Sequence, residues 1–228
     1  MENVSIPRII HQTWKSAEVP ARFQAAAQSW RDRHPGWEYV LWTDADIDRF
    51  VHDHFPRMVP LFRKYPDQIQ RVDAFRYLLL YRVGGIFADL DIECLRSFES
   101  LRAHRVVLAI TAPVGLSNDL MMGEPGHPLF QAAIDGLPAA FRAWQHWWIP
   151  RHFRVLLTTS SLYITHIHRR TRLPDVHLLP PELYSSQDRS RALVFHLPGD
   201  SWAGWDTRVL KFLYARWRSL RRRWGRVA

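Results

Sequence analysis

The sequence predicts an α/β fold built on one mostly parallel sheet. Three observations carry that expectation. Hydrophobic runs of strand length alternate with helix-period segments across most of the chain. In Arg71–Glu93, RVDAFRYLLLYRVGGIFADLDIE, a helix-period stretch passes through Gly84-Gly85 directly into a short apolar run. Finally, 228 residues with 47% hydrophobic and 23% charged content suffice for one globular domain with a substantial core.

Ile6 to Trp14, IPRIIHQTW, reads as the first strand, with Pro7 at its start because proline cannot donate inside a sheet. His11, inside that apolar run, reads as a structural histidine bonded to backbone. Residues 21–33 put Phe23, Ala26, Ala27 and Trp30 on one helical face, and Pro35-Gly36 ends the helix. Glu38–Trp42 is the second strand, and Thr43-Asp44 caps the helix that follows. Residues 57–66 read as a proline-punctuated connection into the central helix.

That helix is announced by Ile69, Val72, Phe75, Leu79 and Val83 at three- and four-residue spacing. Gly84-Gly85 stops it, since glycine accepts the left-handed conformation that ends helical runs. Ile86-Phe87-Ala88 is then a short buried strand, running into Asp89-Leu90-Asp91. Strand side chains alternate, so the two carboxylates are expected on one side. Such a pair suits a hard divalent cation held against a diphosphate. Asp73 and Arg76, three apart, read either as an exposed intrahelical ion pair worth ~0.3 kcal/mol or as part of the site.

Val106–Ile110 is a further strand, and His127 before Pro128 caps a helix at 128–146. Val176–Leu179 and Leu193–Phe195 are the last strands. The single cysteine, Cys94, has no partner for an intrachain disulfide and suits a reducing compartment. Residues 1–10 show no signal-peptide pattern, and no segment reaches the ~20 apolar residues of a spanning helix. The expectation is a cytoplasmic protein, peripheral at most on the inner face of a membrane. Of the net charge of +9, residues 208–228 supply eight cations and no acid, so the body is almost neutral. In that tail Leu210, Leu213, Trp217, Leu220, Trp224 and Val227 fall on one helical stripe, with arginines opposite, which reads either as a helix lying on an anionic membrane surface or as a stripe packed on the catalytic body with a solvated arginine face.

Helix, Gly-Gly, apolar strand and Asp-x-Asp in this order resemble the core motif of sugar-nucleotide glycosyltransferases. The match is to glycosyltransferase family 32, the inositol-phosphoceramide mannosyltransferase-like group, with the large glucosylating toxins as distant relatives. The family's D-x-x-R-Y and G-G-x-Y-x-D-x-D appear as Asp73-Ala74-Phe75-Arg76-Tyr77 and Gly84-Gly85-Ile86-Phe87-Ala88-Asp89-Leu90-Asp91. Phe87 replaces the frequent tyrosine. Ile6–Trp14 matches I-P-x-I-I-H-Q-x-W, Asn118 to Phe130 resembles the block ending G-H-P-x-F, and His196 with Ser201-Trp202 resembles the closing histidine and Ser-Trp. Thr158-Thr159-Ser160-Ser161 departs from a usual T-G-P, which puts the acceptor-side loop in question.

The resemblance implies a GT-A fold over residues 1–206, one Rossmann-like nucleotide-binding domain, followed by a basic helix at 207–228. It implies transfer of a hexose from GDP- or UDP-hexose to a carbohydrate or lipid acceptor, with retention and no protein nucleophile. Asp91 would bind Mn²⁺ or Mg²⁺ directly, Asp89 would hold ribose, sugar or a metal-bound water, and His196 would be a third ligand, with Asp200 or Ser201 as rivals. Asp73 and Arg76 would fix the donor sugar. Tyr77, Gly85, Asn118, Asp119, Ser201 and Trp202 complete the donor set, and Trp14 is either a base-stacking platform or a core aromatic. Two other readings are a sugar-nucleotide hydrolase on the same fold and a nucleic-acid binder using the basic tail; the neutral body and the lack of any nucleic-acid motif count against the second.

Overall fold

Strands form where apolar runs can be buried on both faces, and the sheet is threaded by such runs. The computed structural model describes residues 6–111, 115–184, 186 and 188–197. In chain order these hold β1 (Ile9–Thr13), α1 (Ala21–Arg33), β2 (Glu38–Trp42), α2 (Asp44–His54), a 3-10 turn at Pro56–Met58, α3 (Val59–Lys64), α4 (Gln68–Arg82), β3 (Gly85–Ala88) and β4 (Ile92–Cys94). A second 3-10 turn at Glu99–Ala103 precedes β5 (Val106–Thr111), β6 (Gly115–Gly123), α5 (Pro128–Trp144), α6 (Arg151–Thr158), α7 (Ser161–Thr171), β7 (Val176–Leu179), α8 (Pro181–Tyr184) and β8 (Val194–His196).

The main sheet has the order β2-β1-β3-β6-β5-β7. β1 pairs parallel with both β2 and β3, and β5 pairs parallel with β7. Only β6 runs against its neighbours β3 and β5, so the sheet is mostly parallel, as expected. Alternation along the strands builds two cores. Phe87, Val106, Leu108 and Met121 face one cluster with Phe75, Leu79, Phe130 and Ile164. Ile86, Ala88, Val107, Leu120 and Met122 face the other, with Ile10, Trp30 and Phe98. α4 supplies most of the first core: every residue from Asp73 to Leu80 is buried.

Four sequence expectations change. The connection at 57–66 is largely helical, holding α3. The segment containing Asn118 and Asp119 is a central strand, β6. The last strand is Val194–His196, and it leaves the main sheet to pair antiparallel with β4 in a separate two-stranded ribbon. The region after α5, read only as a loop motif, folds as α6 and α7. Asp200, Ser201, Trp202 and the tail at 207–228 lie outside the described residues.

Candidate active site

The site is positioned by the junction between α4 and β3. Gly84 has φ +75° and Gly85 φ +96°, values that L side chains rarely adopt. A Cβ on Gly85 would lie 2.5 Å from the Ile9 carbonyl oxygen, and one on Gly84 2.8 Å from that of Gly123. The two glycines therefore let β3 insert between β1 and β6 immediately after the helix ends. His11 locks the arrangement. Trp42 Nε1, a donor only, points at His11 Nδ1 (3.2 Å), so Nε2 carries the proton and donates to the Gly84 carbonyl (2.9 Å). Burial pulls the His11 pKa down to about 4. His11 is structural, as the sequence suggested.

β3 delivers the chain to Asp89-Leu90-Asp91, which is a turn and not a strand end: Ile92 N–H donates to the Asp89 carbonyl (3.1 Å). The turn is pinned from both sides. Asp89 N–H donates to the Asp119 carbonyl (2.9 Å), Gln12 Nε2 donates to the Asp89 carbonyl (3.2 Å), and Leu197 N–H donates to the Asp91 carbonyl (2.8 Å). Asp89 and Asp91 both line a cavity of about 300 Å³, with Trp14 and Lys15 after β1, Asp44 at the start of α2, and Gln68, Ile69, Val72 and Arg76 of α4. The cavity opens at the carboxyl ends of β1 and β3, the edge where open α/β sheets bind ligands. Trp14 also packs edge-on against Phe23, ring centroids 5.8 Å apart, so it joins a small cluster on one side while its flank reaches the cavity. Asp44 does not cap α2; Thr43 and Asp46 form the capping box, which leaves Asp44 to the cavity wall.

Behind the turn lies a buried polar network. Asp73 and Arg76 are 2% and 1% exposed, so the exposed-pair reading is overturned. Arg76 Nη2 lies 3.0 Å from Asp73 Oδ1 and 3.2 Å from Asp89 Oδ1, and Nη1 donates to the Asn118 carbonyl. Its Nε has no hydrogen-bond partner among the described residues. Asn118 Nδ2 donates to Asp73 (3.0 Å), and Thr159 Oγ1 donates to Asp73 (3.3 Å). Ser160 Oγ donates to Asn118 Oδ1 (3.0 Å), and Gln70 Nε2 donates to Thr158 Oγ1 (2.6 Å). Thr158 to Ser160, expected on an acceptor-side loop, is thus a buried seam between α6 and α7 that satisfies α4 and β6.

The other predicted residues divide. Tyr77 is fully buried and donates to the Thr159 carbonyl (2.6 Å), and Gly85 is walled in by β1, so neither reaches the cavity. Asp119 accepts from the Tyr184 hydroxyl (2.6 and 2.7 Å), from Ser117 and from His196 Nε2 (3.3 Å). β8 brings His196 there by pairing it with Ile92 one residue past Asp91. Tyr184, Ser117, Gln12 and Lys15 were missed, and Asp44 was read only as a cap. Tyr184 had no motif around it, whereas Lys15, directly after the first strand's Trp14, was open to the same argument as Trp14.

Four carboxylates, Asp73, Asp89, Asp91 and Asp119, face two cations, Arg76 and His196. Burial pushes Asp89 well above the usual carboxylate range; Arg76 opposes this, and Asp91 and Asp119 add to it. Asp91 is raised by burial and then by Asp119. For Asp119, burial acts upward, but the His196, Ser117 and Tyr184 hydrogen bonds prevail and hold it below its ordinary value. Burial lowers the His196 imidazole, and Asp119, then Asp91 and Asp89, outweigh that and raise it. Burial likewise opposes the Arg76 charge, but Asp89 and Asp73 hold it firmly cationic. The acids at the turn remain under-neutralised, which is the electrostatic condition a divalent cation relieves. Among the described residues no group of three or more His, Cys, Asp or Glu side chains forms a ready metal cage. Mn²⁺ and Mg²⁺ do not need one, because substrate phosphates and waters complete their shells around one or two carboxylates. Hard oxygen donors of this kind fit either ion.

Comparison with known proteins bears on the same residues. Residues 20–108, which include the Asp89-Leu90-Asp91 turn, match the family described as a glycosyltransferase sugar-binding region containing the DXD motif. The chain is 35% identical over 215 residues to inositol phosphoceramide mannosyltransferase 1 of Schizosaccharomyces pombe, a match over 91% of this chain and 66% of that one. The chain belongs to the DXD-containing glycosyltransferases. It is also 34% identical over 214 residues to mannosyl phosphorylinositol ceramide synthase SUR1 of Saccharomyces cerevisiae, covering 91% of this chain and 54% of that protein. The chain spans between half and two-thirds of the length of the curated relatives it matches. Its fold is that of the PaToxG glycosyltransferase, with a TM-score of 0.55 at 15% identity over 79% of this chain and 72% of the other. The glycosyltransferase domain from the YGT toxin gives the same TM-score at 9% identity, over 77% of this chain and 80% of that one. The DXD glycosyltransferase thus has the expected GT-A fold.

Proposed function

We propose that this chain transfers a hexose from a GDP- or UDP-sugar to an acceptor hydroxyl, with retention of anomeric configuration. Mannose and an inositol-phosphoceramide-type lipid are the first donor sugar and acceptor to test, since they are named in the relatives above. The observation that carries the reading is the cavity of about 300 Å³ whose wall combines an aromatic, Trp14, with Arg76 and the under-neutralised Asp89-Leu90-Asp91 turn. Trp14 offers a ring edge for the base, and Lys15 and Arg76 offer positive charge to the diphosphate. Asp91 would hold Mn²⁺ or Mg²⁺, with Asp89 supporting it and His196, bound to Asp119, as a further ligand only if that hydrogen bond opens. When bound, the cation offsets negative charge on the departing diphosphate. Asp89 is set by Arg76, and Arg76 by Asp73, so these residues orient the turn and the donor before reaction. The seam at Thr158–Ser160 is buried against Asp73 and Asn118 and does not line the cavity, so it offers no argument for hydrolysis over transfer. Among the described residues no helix is long and apolar enough to cross a membrane; contact with an anionic inner-face surface through the basic residues of 207–228 belongs to the same proposal.

A thermal-shift panel of GDP- and UDP-hexoses, with Mn²⁺ and with EDTA, tests this reading. One donor should raise the melting temperature in the presence of metal and be consumed in a metal-dependent way. A panel in which no nucleotide sugar shifts the protein, or in which turnover persists in EDTA, contradicts it.

A further inference from the structure

Large apolar side chains rarely cluster in water without a reason. The described residues contain one such cluster: Trp144, Trp147 and Trp148, at 41%, 86% and 62% exposure, in the link between α5 and α6. The link is built, not loose. His146 stacks on Trp148 with ring centroids 4.3 Å apart and planes 6° apart, and Trp147 meets Trp148 edge-on at 6.1 Å. Backbone bonds from Gln145 to Phe141 (3.0 Å) and from Ile149 to His146 (3.2 Å) brace it.

Its two ends are fastened to the first turns of α4. Gln70 Nε2 donates to Gln145 Oε1 (2.9 Å), and Arg151 Nε donates to Asp67 Oδ1 (2.7 Å). The link is thus tied to the start of α4, the helix whose residues Gln68, Ile69 and Val72 line the donor cavity. Charge selects the occupant. From residue 136 to 174 the chain carries six arginines and no aspartate or glutamate, and Asp67, the acid that meets the link, is taken by Arg151. Exposed tryptophans in a segment that carries arginines and no acid are the chemistry of an interfacial anchor on anionic lipid.

We infer that the Trp144–Trp148 link is a membrane-docking loop that seats the start of α4, beside the donor cavity, on an anionic bilayer. Its use in catalysis rests on the proposed lipid acceptor; the binding itself does not. Trp147 and Trp148 would enter the headgroup region, Arg142 and Arg154 would meet lipid phosphates, and an acceptor headgroup would reach the cavity without leaving its bilayer.

Co-sedimentation of the full chain with phosphatidylcholine vesicles, with and without phosphatidylserine, tests this. The parent should bind the anionic vesicles, and Trp147→Ser/Trp148→Ser should weaken binding by about tenfold or more. Melting temperature and donor turnover in solution should be unchanged, since both side chains project into solvent. Arg218→Glu/Arg222→Glu in the full chain measures the tail separately and should leave a binding component that the tryptophan variant removes. A parent that ignores anionic vesicles overturns the inference. So does a tryptophan variant that binds like the parent, or one whose loss is matched wholly by the tail variant. Vesicle binding without donor turnover would instead contradict the proposed function.

Discussion

Arg76 is the cation on which the acids of the site converge, and almost none of it touches water. A charge in that position is tolerable only while Asp73 and Asp89 remain opposite it. Asp73→Asn keeps the shape and removes one of those partners. We expect a loss of about 3 kcal/mol of stability, the scale for breaking a buried pair, together with reduced turnover. Urea unfolding beside steady-state kinetics checks both; a stability change within ~0.5 kcal/mol would mean that the pair behaves as an exposed one. The spacing of Asp73, Arg76, Asp89 and Asp91 was legible because it is local. The burial of the pair was not, because it is imposed by Asn118 and by Thr158 to Ser160, more than forty residues further along the chain. Phe87, the departure from the family's tyrosine, packs its ring under the Arg76 guanidinium at 4.5 Å, a cation–π contact that no motif foretold.

Among the elements, β1 is held at the site by a histidine that must stay neutral. His11 titrates near 6.5 when unfolded and at about 4 in the fold, so between those values the unfolded chain binds the extra proton. Its contribution is therefore intact above pH 6.5 and is lost as the pH falls towards 4, by roughly 3 kcal/mol in total. Asp73, Asp89 and Asp91, raised in the fold, act in the opposite sense, so the test is a comparison of variants. His11→Gln should be less stable than the parent at pH 7 and should lose less on going to pH 4.5. Equal losses in the two proteins would contradict the assignment. α1, β2 and β3 were readable from periodicity. β6 was not: its centre, Ser117-Asn118-Asp119, is polar, with Ser117 and Asn118 buried, and it is a strand only because Tyr184, Asp73 and Ser160 satisfy those side chains. α6 and α7 were not legible either, because both are short and the polar run Thr158–Ser161 falls at their junction, interrupting the helical period.

For the whole molecule, the parallel strands β1 and β3 deliver Trp14 and the Asp89-Leu90-Asp91 turn to one sheet edge. α4 closes the wall of the cavity there, and β8 returns to the turn through Leu197. The alternation of strands and helices made this architecture legible in advance. The antiparallel insertion of β6 and the separate β4–β8 ribbon depend on long-range pairing and were not. The central claim is that the under-neutralised turn binds a nucleoside diphosphate through a divalent cation held by Asp91. Isothermal titration of GDP and of UDP into the full chain, with Mn²⁺ and with EDTA, and into Asp91→Asn, tests it most directly. One diphosphate should bind the parent with Mn²⁺, and both EDTA and the substitution should weaken it by about tenfold or more, ~1.4 kcal/mol. Equal affinity in the parent with EDTA, or in Asp91→Asn with Mn²⁺, would contradict the account.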